Sequence, residues 1–435
     1  MPQRAWDIHV IRRGDEHVPD QHQRRGSDYG LVKGTKRQTT GFVRSRFPDN
    51  AWRVAGAVAA ALLGGLNVLI VRFGSIAQAY GLCLLGIVSA YRLTVASVRH
   101  ETARWAAGAG LLWGVALFSS LLTAPVGPVL LVWILANNRA GSRWRKGAAF
   151  LMGALIPSIP ALLLFARGPS QVFFGAIQYN LVHRLADWPG ATRQNLEVLA
   201  SWINSGSALL LILLAACGLL FIRFRSRWDA AVKAEFYLCA WLSVAIAAYL
   251  FYVRPTFERY FVFAVPFVAI LAVAGVYFLA TTLYRQDRPL LPLTVLVFLL
   301  SVALGKSLDD KRDVLTWPEL EKLADKVSQV TSPGQALYAD EAIYFLTRHS
   351  PPSGMEMMDA HKFDFPPGGL RSLHLISQIE LDRLVQARTF DTLETCETQE
   401  DIAQRGYAKL YSKSSYISDC FVFWDRRPVT DSSKK

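Results

Sequence analysis

The sequence predicts an α-helical polytopic membrane protein of about nine transmembrane helices, with a small C-terminal extracytoplasmic α/β domain. Three observations predict it. Nine stretches between Val54 and Gly305 lack Asp, Glu, Lys, Arg and His and run 16–25 residues, where roughly 20 apolar residues cross a bilayer. The basic residues between those stretches fall on every second loop, as the positive-inside rule requires. From Lys306 onward the apolar runs stop and short helical and strand patterns alternate. Of the 435 residues 52% are hydrophobic and 19% charged, which excludes a disordered chain. The net charge of +13 is explained by membrane orientation, so no nucleic-acid partner is expected.

Residues 1–52 carry an Arg-rich, aperiodic stretch, "RRGDEHVPDQHQRRGSDYG", and read as a disordered basic cytoplasmic leader. They contain no apolar signal-peptide core, so the first span serves as its own insertion signal. The membrane domain is 53–305. Its spans read Val54–Val71, Phe73–Tyr91, Trp105–Leu122, Thr123–Asn138, Gly147–Ala166, Gly206–Ile222, Phe236–Val253, Tyr260–Tyr284 and Pro289–Gly305. The third and fourth form one uncharged run that is too long for a single crossing, and "TAPVGP" at Thr123–Pro128 turns it into a hairpin. The basic groups Arg92/Arg99/Arg104, Arg139/Arg143/Arg145/Lys146, Arg223/Arg225/Arg227/Lys233 and Arg285/Arg288 put their loops in the cytoplasm. That leaves the loop 167–205 and the domain 306–435 outside.

Within 167–205, Phe173, Phe174, Ile177 and Leu181 recur at helical spacing, as do Leu196, Leu199, Trp202 and Ile203. Both sets predict amphipathic helices lying in the outer interface. In the C-terminal domain the pattern predicts helices at Trp317–Val330, Glu341–Arg348 and Gln378–Ala387, and strands at Ala336–Ala339, Phe390–Glu394 and Cys420–Trp424. Its two cysteines, Cys396 and Cys420, are expected to pair in an oxidising compartment, while Cys83, Cys217 and Cys239 lie in spans as small packing residues. Neither a CxxC pair with interleaved His nor a Walker loop, GxGxxG or HExxH occurs, and no metal or cofactor is expected.

The uncharged spans disfavour an ion-coupled transporter, which needs an ionisable group in the membrane. Polar chemistry collects at the outer ends of spans instead. "YVRPTFERYFVFAVPF" packs Arg254, Glu258 and Arg259 among Tyr252, Phe257 and Tyr260. Two guanidiniums there form a clamp for a phosphate or pyrophosphate; the same pair would also serve as interfacial arginines snorkelling to head groups. "FFGAIQYNLVHRLADW" lines a helix with Gln178, Tyr179, Asn180, His183, Arg184 and Asp187, a set of amides, carboxylate and aromatic faces suited to sugar hydroxyls and equally to a wetted helix face.

These segments, with "GALIPSIPALLLFARGPSQVFFGAIQYN" and a tail beginning "WPELEKLADKVSQV", resemble the bacterial integral-membrane glycosyltransferases of the C-type superfamily, the group of the protein O-mannosyltransferases and the lipid A aminoarabinose transferase. The resemblance extends over roughly residues 50–425. It implies transfer of a sugar from a polyprenyl-phosphate carrier to a glycan, lipid or protein acceptor on the outer face of the bacterial inner membrane, with no metal carried over. It also implies a catalytic carboxylate in the first external loop. That loop, near Arg72–Gly74, has no Asp or Glu, which leaves the catalytic residue unassigned and predicts either a truncated gene product or a non-catalytic relative. An envelope scaffold, or less readily a lipid or solute transporter, stays open beside it.

Overall fold

A computed structural model describes residues 47, 50–74, 79–100, 102–138, 140–183, 191–224, 228–253, 256–283, 289–309, 316–356, 373 and 375–426. They divide into two compact units that part at Asp310 and Lys311.

The first unit is all helical: α1 Asn50–Gly65, α2 Val68–Phe73, α3 Tyr80–Arg99, α4 Arg104–Ser119, α5 Val126–Asn137, α6 Ala140–Leu155, α7 Ser158–Arg167, α8 Pro169–Phe173, α9 Ala191–Asn204, α10 Gly206–Phe224, α11 Ala230–Tyr252, α12 Val265–Leu283 and α13 Leu290–Asp309. A π-helical stretch, Phe174–His183, continues α8, and a 3-10 helix, Glu258–Phe263, precedes α12. Among the described residues five helices are long and apolar enough to cross a membrane, or six if the pair bent by 49° at Pro157 counts as one span.

The expected first span, Val54–Val71, is broken. Leu66 and Asn67 interrupt it, and the Asn67 side chain accepts a hydrogen bond from Leu69 N (3.1 Å) to start α2, which is what an N-cap does for a helix's orphaned donors. The leader also ends sooner than expected, because α1 begins at Asn50 and both Phe47 and Trp52 are 1% exposed. Their rings join Trp228 and Tyr277 in an aromatic cluster, burying the last part of the segment read as disordered.

The expected hairpin forms between α4 and α5. The indole of Trp113 donates to Thr123 O (3.1 Å) and lies where a Cβ on Gly127 would fall, contacts that a continuous helix cannot make across a separation of fourteen residues, roughly 21 Å of rise. Helices approach most closely where glycines face each other. A Cβ on Gly110 would overlap the Phe150 carbonyl and one on Gly153 the Ala107 carbonyl; Gly218 and Gly275 stand in the same relation to Leu271 and Leu214. Small residues at such crossings let backbones touch, the dominant packing device where lipid competes with every apolar contact.

The second unit contains α14 Trp317–Val330, β1 Leu337–Tyr338, α15 Glu341–Thr347, α16 Gln378–Gln386, β2 Thr392–Thr395, α17 Gln399–Arg405, α18 Tyr407–Leu410, β3 Tyr411–Ile417 and β4 Cys420–Arg426. Its sheet has the order β1-β2-β4-β3, with β1 parallel to β2 and the other pairs antiparallel. Helix α14 opens on a capping box, Thr316 with Glu319, and its buried Leu320, Leu323, Ala324 and Val327 pack with Leu337, Ile343 and Val422. Cys396 and Cys420 are joined in a disulfide.

Candidate functional site

One end of the helical unit gathers elements distant in sequence. Helix α2 packs against the 3-10 helix Glu258–Phe263, and an aromatic path runs from Phe73 to Tyr80 (6.3 Å between centroids) and from Tyr80 to Phe263 (5.6 Å). The break at Asn67 therefore matters for the site. It turns the chain so that Arg72, on the last turn of α2, belongs to the same end as Glu258 and Arg259.

Arg259 is half-buried, with its guanidinium 4.8 Å from the centroid of Phe257 and 5.7 Å from that of Tyr260. Stacking on these faces keeps the planar cation over apolar surface. The rings themselves meet edge to face at 5.4 Å. Tyr252, which the sequence grouped with them, is 81% exposed. Arg254 lies outside the described residues.

Helix α9 closes this end from the side. Its Asn195 donates through Nδ2 to Phe251 O (2.8 Å) and Val253 O (2.9 Å), at the end of α11. Two turns further on, Trp202 stacks on Phe261 at 4.6 Å with 6° between the planes. Thr256 adds hydrogen bonds to Leu250 O and Val253 O, so side chains rather than water cap these terminal carbonyls.

Of the apolar residues at helical spacing on this helix, Leu196 is exposed, while its polar neighbour Asn195 is buried. A stripe read by hydrophobicity alone misses a polar residue used for its donors. The other sequence-expected segment, with Tyr179, Asn180 and His183, lies on the π-helical stretch Phe174–His183; the side chains of these three fall outside the described ones, as do Arg184 and Asp187.

The opposite end of the unit carries a different set of charges. Arg99 pairs with Glu235 (2.6 Å), which is almost fully buried. Lys146, 2% exposed, donates to Ser97 O (2.6 Å), His100 O (2.8 Å) and Asn138 Oδ1 (2.6 Å). All three donors of the ammonium are used, on the end of α3 and on the residue that follows α5. This is a structural clamp with no capacity left over for a ligand.

In the second unit two carboxyls are buried together. Asp340 N donates to Glu394 Oε2 at 3.0 Å. Burial pushes Glu394 up to about 7, and burial together with the nearby Glu394 and Glu341 charges pushes Asp340 upward more strongly. Glu394, Cys396 and Cys420 also bring potential metal-ligand atoms within 4.8 Å of one another. The disulfide removes both thiolates, the forms that ligate, so this group does not fit a metal as it stands.

Neither a family model nor a curated protein sequence matches the chain. Solved structures do. ArnT from Cupriavidus metallidurans in the apo state matches with a TM-score of 0.61 at 15% identity, covering 92% of this chain and 83% of that chain. The same protein bound to undecaprenyl phosphate matches with 0.60 at 14% identity and the same coverage. At such identity the likeness speaks for the fold alone: with its long apolar helices, this chain is an integral membrane protein with an ArnT-like fold.

Proposed function

We propose that the chain is a glycosyltransferase-like protein of the bacterial inner membrane that binds a polyprenyl-phosphate-linked sugar at the end bearing Arg72, Glu258 and Arg259. The sugar passes to an envelope acceptor on the outer face, the N-terminus being cytoplasmic and the C-terminal unit extracytoplasmic. The supporting observation is the convergence of α2, α9 and the Glu258–Phe263 helix at one end of the bundle, in the fold of a protein solved with undecaprenyl phosphate.

In this reading Arg254 and Arg259 hold the carrier phosphate, with Glu258 orienting one guanidinium and Arg72 adding a third positive charge. Tyr179, Asn180 and His183 meet the sugar hydroxyls. As an acceptor oxygen bonds to the anomeric carbon, the bond from that carbon to the carrier phosphate breaks and the electron pair stays on the phosphate. Arginines aimed at that developing charge lower the barrier more than they tighten ground-state binding. The acceptor proton needs a base, and the connection 66–79 contains no Asp or Glu. That feature favours a second reading, carrier binding without transfer.

One experiment separates these readings. Arg254→Lys and Arg259→Lys are made singly, matched for membrane level, and assayed in nanodiscs for undecaprenyl phosphate binding and for transfer from a polyprenyl-phosphate sugar. Lysine keeps a point charge but loses the bidentate fork, so a clamp loses about tenfold or more in transfer. Both functions intact in both variants rule the clamp out. Binding lost on substitution, with no transfer by the parent, selects the carrier-binding reading. For orientation, a reporter active only outside the cytoplasm works when fused after Lys306 and stays silent after Gly141; the reverse overturns the topology.

A further inference from the structure

Asn195 is an expensive residue for a position that faces the core. It is 2% exposed on an α9 face otherwise formed by Val198, Leu199, Trp202 and Ile203, and its Oδ1 is buried without a hydrogen-bond partner among the described residues. A buried amide acceptor left unpaired costs stability, and an apolar side chain of similar shape would avoid that cost. The residue's two donors account for its presence. They hold Phe251 O and Val253 O, two of the last three carbonyls before Arg254 in the chain. Trp202 of the same helix face holds Phe261, just beyond Arg259. Thus α9 holds the chain on both sides of Glu258 and Arg259, at 251–253 and at 261.

We propose that Asn195 is a positioning residue for the anionic head-group site: through its amide, helix α9 of the loop 167–205 sets the geometry of the segment carrying Glu258 and Arg259. The assignment rests on the phosphate-binding reading of that segment. It makes the loop a part of the site and gives the site a handle outside the residues that meet the ligand. Asn195 itself touches neither carrier nor sugar.

The test uses the full chain in nanodiscs containing undecaprenyl phosphate. Asn195→Leu keeps the apolar packing and removes both amide hydrogen bonds; Asn195→Ser keeps one donor and serves if the leucine variant does not fold. Hydrogen exchange in peptides covering 250–263 is expected to rise about tenfold in Asn195→Leu, less in Asn195→Ser, with peptides of α10 unchanged. Affinity for undecaprenyl phosphate falls about tenfold, roughly 1.4 kcal/mol.

The loss is non-additive with Arg259→Ala, because a misplaced arginine has little left to lose. Exchange unchanged in a folded variant, or strictly additive binding losses, overturns the assignment. A parent chain that binds no undecaprenyl phosphate instead refutes the head-group reading, and the exchange arm then decides alone whether Asn195 holds the segment.

Discussion

The Asp340 and Glu394 pair predicts that the C-terminal unit is less stable in mildly alkaline than in mildly acidic solution. Both carboxyls are buried, Glu394 at 1% exposure, and desolvation is the leading cause raising each. The sign follows from comparing states. A carboxyl whose folded pKa is raised keeps its full stabilising contribution below its unfolded pKa, and loses it as pH climbs toward the folded value, because only the unfolded chain releases the proton freely.

For Glu394 the window runs from 4.5 to about 7, ~2.5 pH units at roughly 1.4 kcal/mol each, or about 3.5 kcal/mol over the full titration. Asp340 is shifted in the same direction, so it adds to the fall within this window and extends it to higher pH. The assay is hydrogen exchange of the full chain, corrected for intrinsic rate, in peptides covering Leu337–Tyr338 and Thr392–Thr395. Protection free energy is expected to drop by more than about 3 kcal/mol between pH 4.5 and 7 in the parent, since Asp340 adds to Glu394, and to stay nearly flat in Asp340→Asn with Glu394→Gln. A flat parent profile, or a doubly substituted chain with the parent's slope, would refute the buried-pair reasoning.

Other outcomes follow from particular contacts. Replacing Cys396 and Cys420 together by Ala opens a loop with a sequence separation of 24 and should destabilise the C-terminal unit by about 3 kcal/mol in the chain-entropy account. Mass spectrometry of alkylated, unreduced parent should find neither thiol free. Lys146→Met strands Ser97 O, His100 O and Asn138 Oδ1 without their shared donor; the thermal midpoint in detergent should report a loss of about 2 kcal/mol. Gly275→Ile drives a side chain into the Leu214 carbonyl and should cost about 3 kcal/mol or more by forcing α10 and α12 apart, read by the same melt.

How far the sequence could be read depended on which physical signal each element uses. Helix α14 was legible to both ends because its capping box and apolar stripe, Leu320, Leu323 and Val327, agree. The disulfide was legible because only two cysteines fall outside the spans. Strand β3 was not, since "YSKSSYI" is mostly polar; it lies at the sheet edge, where one face meets water, and its alternation carries little hydrophobic contrast.

In the membrane unit, spans were found by the lack of charge, so neutral amides passed unseen. Asn67 breaks the first span and Asn195 fastens the end of α11, yet neither raises a charge count. Lys146 lies just outside a predicted span and reads as a loop charge, and Glu235 carries no signal of its own, whereas the fold buries both with their partners. The two asparagines share a physical logic. In an apolar setting an amide is kept only where backbone groups need its hydrogen bonds, so a lone Asn inside an apolar stripe marks a place where a helix ends or another is fastened. Asn67 and Asn195 both follow that rule, and both shape the end of the bundle where Arg72, Glu258 and Arg259 collect.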